Sequence, residues 1–110
     1  MRSAITLALD EALAADDAVV LLGEDITGAG VFGVTKGLSA KYGTDRVRDT
    51  PISEQAIVGA AVGAALGGLR PVAEIMFMDF LGLCLDQLAN HAAKLRYMSG
   101  GQTSVPMTVR

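Results

Sequence analysis

Apolar and polar positions alternate along this chain in two different rhythms. Ile5, Ala8, Leu9, Ala12 and Leu13 recur at helical spacing, with Asp10 and Glu11 on the other side and Asp16-Asp17 ending the pattern, which predicts an amphipathic first helix. Ala18-Val19-Val20-Leu21-Leu22 is instead a short unbroken apolar run closed by Gly23, as expected of a strand buried on both faces. A helix is predicted around Thr35 to Tyr42, stopped by Gly43. A short β-like segment then leads into Asp49-Thr50-Pro51-Ile52-Ser53-Glu54, and Pro51 turns Thr50 away from helical geometry. Ser53 is placed to cap the next helix, and Glu54 falls in its first turn.

That helix, Ala56 to Leu69, is almost free of polar atoms. The run falls short of the roughly 20 residues needed to cross a bilayer, so it reads as a buried helix. Pro71 to Phe77 predicts a further buried strand ending near Met78-Asp79-Phe80. A long helix follows, with Leu81, Cys84, Leu85, Leu88, Ala92 and Leu95 on its apolar face and Asp86, Asn90 and Lys94 on another. Gly100-Gly101 closes it, and Ser104 to Arg110 predicts a last strand. Helices alternating with strands imply an α/β fold with a parallel sheet and helices on both faces. The last strand lacks a following element to cover it, so residues 1–110 read as one domain incomplete at its C-terminal end.

Composition narrows the classes. The chain is 51% hydrophobic but only 5% aromatic, so small residues carry much of the packing. Net charge is −3, and the nine basic residues are scattered, which leaves no nucleic-acid footprint. The N-terminus has no continuous apolar signal core, and the single cysteine suits a reducing compartment; the expectation is a cytoplasmic protein.

Few residues offer chemistry. Gly28-Ala29-Gly30-Val31-Phe32-Gly33 matches a dinucleotide-binding glycine pattern with Asp49 beyond it, but Glu24 to Thr27 separate it from the strand, which favours a plain glycine loop. His91 is the only histidine, and helical spacing pairs it with Gln87, a surface or interface position. Cys84 reads as core, and Phe80 as core or as a platform for a planar ring. Glu24 follows the first strand at its carboxyl end, where open α/β sheets keep ligand-binding residues. Two roles are open to Glu54. It complements the helix dipole, or, at the mouth of a buried helix, it is a carboxyl group with a raised pKa that exchanges protons with a ligand.

Several motifs together resemble a known family. Gly23-Glu24-Asp25-Ile26, Gly30-Val31-Phe32, the run from Arg46 to Phe77, Asp79-Phe80, Asp86-Gln87 and Ala92 to Gln102 are similar, in order, to the beta subunit of thiamine-dependent 2-oxo acid dehydrogenases, most of all the bacterial acetoin and pyruvate types. The resemblance implies a transketolase-like pyrimidine-binding domain. It makes Glu54, in Ile52-Ser53-Glu54, the glutamate that hydrogen-bonds a ring nitrogen of the aminopyrimidine of thiamine diphosphate, and Phe80 the aromatic residue packed against that ring. Glu24 would lie near the same site. Main-chain oxygens of Met107 and Thr108 would hold half of a potassium site. The Mg²⁺ and the diphosphate would be held mainly by an alpha subunit in a heterotetramer, and the acyl group from a small 2-oxo acid or acetoin would pass to the lipoyl group of an acyltransferase core. The resemblance further implies that the chain is an N-terminal fragment, inactive by itself. Two other readings stay open: a transketolase-type thiamine enzyme, and a non-catalytic module whose helix from Gln55 to Leu69 packs on a partner.

Overall fold

The computed structural model describes all 110 residues. Helix α1 (Arg2–Ala15) leads into strand β1 (Val19–Gly23), and a long irregular stretch, 24–37, leads to the short α2 (Leu38–Tyr42). Then come β2 (Val47–Asp49), α3 (Glu54–Leu66), β3 (Arg70–Ala73), three short helical pieces, and β4 (Thr108–Val109). The four strands form one parallel sheet in the order β2-β1-β3-β4. Gly23 stands opposite Asp49 on one side of β1, and Leu22 opposite Ala73 on the other.

Every residue of β1 is buried, because β1 lies inside the sheet and both faces are covered. Leu21 points into a core with Leu9 and Leu13 of α1, Leu38 of α2, Ile26 and Val47. Its neighbour Leu22 points the other way, into a core with Ile57, Val58 and Ala61 of α3, Ala73, Ile75 and Cys84. This is the alternation of a strand, and it makes the unbroken apolar run of β1 the sign of a two-sided burial. The expected α/β fold with helices on both faces of a parallel sheet is what the chain adopts.

Four sequence expectations need correction. The segment from Met78 onward is not one long helix: it winds as a 3₁₀ helix (Met78–Cys84), a π-helical stretch (Asp86–Ala92) and the short α4 (Leu95–Met98). The tight winding stacks residues three apart, and the wide π winding then turns Gln87 inward, while Leu85 stays 58% exposed. Gln87 packs beside Gly59 of α3, where a β-carbon would meet the Gln87 Cγ at 3.6 Å, an ordinary contact distance. The same widening pairs His91 with Asp86, whose carbonyl lies 3.3 Å from the ring Nδ1, and not with Gln87. Second, β3 and β4 are shorter than the apolar runs that announced them, although backbone bonds from Ile75 N–H to Arg110 O (2.7 Å) and from Arg110 N–H to Ala73 O (2.9 Å) continue their pairing. Third, α2 begins at Leu38, three residues later than expected. Fourth, Ser53 takes the N-cap position of α3 without a side-chain capping bond, and only its carbonyl is engaged, by the Ile57 N–H at 2.9 Å.

Helices α1 and α2 are joined by a small polar cluster. Lys41 Nζ donates to both carboxylate oxygens of Asp10 at 2.7 and 2.8 Å, and the Tyr42 hydroxyl donates to the same carboxylate at 2.8 Å. The bond from Lys41, then that from Tyr42, holds the Asp10 carboxyl below its ordinary pKa, and Asp10 in turn raises that of Lys41. A depressed carboxyl contributes stability above its unfolded pKa and loses it as pH falls through the folded value; the raised lysine contributes below its unfolded value and loses it as pH rises through the folded one. The Asp10 side-chain carbon is therefore expected to titrate by NMR with a midpoint below 3.8, returning toward that value in Lys41→Met. A midpoint unmoved by that substitution would show that the cluster does not form.

Candidate functional site

The chain leaves β1 for β2 on one side and leaves β3 for β4 on the other, so the crevice beyond the carboxyl ends of β1 and β3 is the switch point of the sheet. Open α/β sheets bind ligands there. Gly23 and Glu24 form one lip and Glu74 and Ile75 the other. The lips almost touch: a β-carbon on Gly23 would stand 2.6 Å from the Glu74 Cβ, closer than atoms can approach. Glu74 is buried, and its carboxylate accepts from Arg110 Nε at 2.6 Å and also from Arg110 Nη2. This fork is a contact that sequence reading missed. Its signal was an acid inside the apolar run Pro71 to Phe77, which needs a cation if the run is buried.

Helix α3 opens on the same edge. Its burial is one-sided, with Ile57, Val58, Ala61, Val62 and Ala65 inward and Gln55, Ala56, Ala60 and Gly63 outward. Glu54 is half-buried at its first position. The six ion pairs of the chain involve neither Glu54 nor Glu24, so both carboxylates are free to meet a ligand. Burial pushes the Cys84 thiol above its ordinary pKa, and the negative charge of Glu54 adds to that shift. Cys84 is fully buried, as expected of core, and its Sγ contacts the Phe80 carbonyl at 3.7 Å. Helix α3 packs on the 3₁₀ helix, so the elements that carry Glu54 and Phe80, distant in sequence, are neighbours.

Phe80 is 38% exposed and meets Phe77 edge to face, with ring centroids 5.6 Å apart. Phe77 meets Phe32, from the 24–37 loop, in the same way at 5.6 Å. Close to this edge, the Thr50 hydroxyl is buried with no hydrogen-bond partner, although the Thr50 N–H donates to the Gly23 carbonyl at 2.9 Å. Glu24 is half-buried just past β1, and the structure shows no contact between it and Glu54. Thr108 lies at the far side, opening the sheet's edge strand β4, and Met107 directly precedes it.

The glycine loop is not a dinucleotide site. β1 ends at Gly23, not Gly28, and α2 begins at Leu38, beyond Gly33. Asp49, at the end of β2, is engaged by the 24–37 stretch, accepting from the Thr27 N–H at 2.8 Å and from the Thr27 hydroxyl.

A family model, "Transketolase, pyrimidine binding domain", matches residues 1–110. The chain belongs to that family. This pyrimidine-binding domain is also similar over its whole length to three curated relatives. It is 51% identical to the beta subunit of acetoin:2,6-dichlorophenolindophenol oxidoreductase of Cupriavidus necator and covers 36% of that protein. It is 53% identical to the beta subunit of 2-oxoisovalerate dehydrogenase of Pseudomonas aeruginosa and covers 32%. To the pyruvate dehydrogenase component beta subunit of Acholeplasma laidlawii it is 51% identical, with 34% covered. The chain therefore spans about a third of the length of the curated relatives it matches. The alignments differ in length: 121 positions with the acetoin relative, but 111 with each of the other two, against the 110 residues of this chain. No helix of the structure is long and apolar enough to cross a membrane.

Proposed function

We propose that this chain is the pyrimidine-binding part of the beta subunit of a thiamine diphosphate-dependent dehydrogenase. It would act in a heterotetramer with an alpha subunit, on a small 2-oxo acid or acetoin, whose acyl group passes to the lipoyl group of an acyltransferase core. The observation that carries the reading is the half-buried carboxylate of Glu54, free of any partner in the chain, at the first position of α3 on the ligand-binding edge of the sheet, with the exposed Phe80 on the 3₁₀ helix that packs against α3. The free carboxylate, the orphaned Thr50 hydroxyl and the uncovered rings fit a planar, polar-edged heterocycle. When bound, the cofactor supplies the carbanion-stabilising chemistry.

The protein's share is orientation and proton supply. Phe80 presents a ring against which the aminopyrimidine packs. Glu54 hydrogen-bonds a ring nitrogen and holds a proton at that atom. Cys84 and the α3 core behind Glu54 keep its carboxyl half out of water, and the N-terminus of α3 favours its charge. Glu24 closes the crevice beside β1. No group of three or more His, Cys, Asp or Glu side chains stands together that could hold a metal. In this reading Mg²⁺ and the diphosphate fall to the alpha subunit, and the main-chain oxygens of Met107 and Thr108 offer part of a potassium site.

Both substrate classes stay in the reading, because acetoin and 2-oxo acid relatives match this chain at similar identity, 51% against 51–53%.

The deciding experiment is titration calorimetry of thiamine diphosphate with Mg²⁺ into this chain, into a complete beta subunit built on it, and into that subunit with an alpha partner. Binding only in the mixture is expected. Tight binding by the 110-residue chain alone would mean that the diphosphate site lies here and that the shared-site reading is wrong.

A further inference from the structure

All three phenylalanines of the chain stand in one wall. Phe80 begins it, Phe77 meets Phe80 at an interplanar angle of 78°, and Phe32 meets Phe77 at 70°, each step 5.6 Å between centroids. Two of the rings come from the segment after β3. The third is delivered by the loop after β1, so the wall spans the switch crevice. The rings are 38–45% exposed, too much apolar surface in one place for a finished core.

Phe32 owes its exposure to a fixed backbone. Gly30 and Gly33 on either side of it have φ of +65° and +70°, which residues with a β-carbon rarely adopt. Gly30 N–H donates to the Asp25 carbonyl at 3.0 Å, Gly33 N–H to the Gly30 carbonyl at 3.3 Å, and Asp49 anchors the loop at Thr27. Val34 and Thr35, directly after, are buried. On its other side Phe32 lines a broad groove of about 1090 Å³ between α1 and the loop, with Arg2, Lys36 and Lys41 on its walls. The Phe32 ring is thus a partition between the aromatic wall and that groove.

We propose that Phe32 is a specificity-determining residue, whose ring closes the far end of the wall and limits the apolar side chain of the 2-oxo acid that can be accepted. The proposal rests on the reading that Phe80 packs against the cofactor's pyrimidine. A ligand ring seated on Phe80 leaves Phe77 and Phe32 beside it, where the substrate's side chain must lie. The wall offers no hydrogen-bonding atom, so it can discriminate only by size and shape. Such discrimination is worth about 10–200-fold for a methylene or so. Phe77 is less suited to the role, since it also lines an apolar cavity with Ile75, Leu81 and Leu88. Removing it would disturb the core, whereas shortening Phe32 opens the wall into the groove.

The test uses the complete beta subunit reconstituted with its alpha partner, in wild-type, Phe32→Ala and Phe32→Trp forms. The readouts are kcat/KM for pyruvate and for 3-methyl-2-oxobutanoate, and thiamine diphosphate affinity by calorimetry. Phe32→Ala is expected to shift the ratio at least about tenfold toward the branched substrate, Phe32→Trp to shift it toward pyruvate, and both to leave cofactor affinity within about twofold. Opposite shifts in the two variants would support the assignment even if one of them folded poorly. An unchanged ratio in both, with an active wild-type complex, overturns the role of Phe32 alone; so does a loss of cofactor affinity equal to that in Phe80→Ala. A wild-type complex that binds cofactor but turns over neither a 2-oxo acid nor acetoin overturns the underlying reading as well.

Discussion

Arg110→Leu is expected to destabilise the domain by about 3–5 kcal/mol, the cost of leaving a buried carboxylate without its cation. The Glu74 side chain is only 7% exposed, and both of its oxygens are held by the guanidinium fork. Nor can Glu74 swing out to water easily. Its Cβ sits where a side chain on Gly23 would be, wedged between two paired strands. Arg110→Lys keeps the charge but loses the fork, and is expected to lie between the wild type and Arg110→Leu. The double variant Glu74→Gln/Arg110→Leu removes the buried charge altogether and is expected to recover much of the loss, since replacing both partners of a buried pair is often close to neutral. Denaturant midpoints of the four proteins measure this. If Arg110→Leu fell within about 1 kcal/mol of the wild type, the crevice would be wetter than the geometry says, and Gly23 would lose its explanation as the residue that lets Glu74 in.

That pair shows what was legible in the sequence and what was not. β1 could be read to within a residue, because five apolar positions in a row between an acidic turn and a glycine have few other solutions. Both faces of the sheet followed, since a strand buried on both faces needs helices on both. The acid in Pro71 to Phe77 was visible as an anomaly. Its partner was invisible, because nothing local says that β3 and β4 are neighbours or that residue 110 reaches back to residue 74. The segment after Met78 was misread for a different reason. The 3.6-residue template fits its apolar positions, and a 3₁₀ turn followed by a π turn keeps nearly the same residues inside while exchanging Leu85 for Gln87. The aromatic wall had no sequence period at all, since Phe32 and Phe77 meet only through the fold. Glu54 and Phe80 were singled out by motif and position, and what the structure adds is that the helices carrying them pack together.

Whether Glu54 works on a ligand or only on its own helix is the question with the largest effect attached. Glu54→Gln keeps the size of the side chain and its hydrogen-bonding carbonyl, and removes the charge and the exchangeable proton. If Glu54 serves only the dipole of α3, the change costs about 0.3–1 kcal/mol of stability and leaves turnover in the reconstituted complex intact. If it supplies the proton at the pyrimidine nitrogen, turnover at saturating cofactor is expected to fall by about 10²–10⁴-fold, the span of a positioned acid–base group. Stability then changes no more than in the first case, because the carboxylate has no partner in the chain to abandon. The two readings therefore separate on one protein measured two ways, by turnover and by denaturant midpoint. A variant with full turnover would remove the proton-supplying role from Glu54. A variant that lost several kcal/mol of stability would mean that the carboxylate holds the fold together through a contact absent from this structure. A large loss of turnover with the fold intact supports one account: α3 buries its apolar face behind its first residue so that a single carboxyl group can be presented, half out of water, to the ring it protonates.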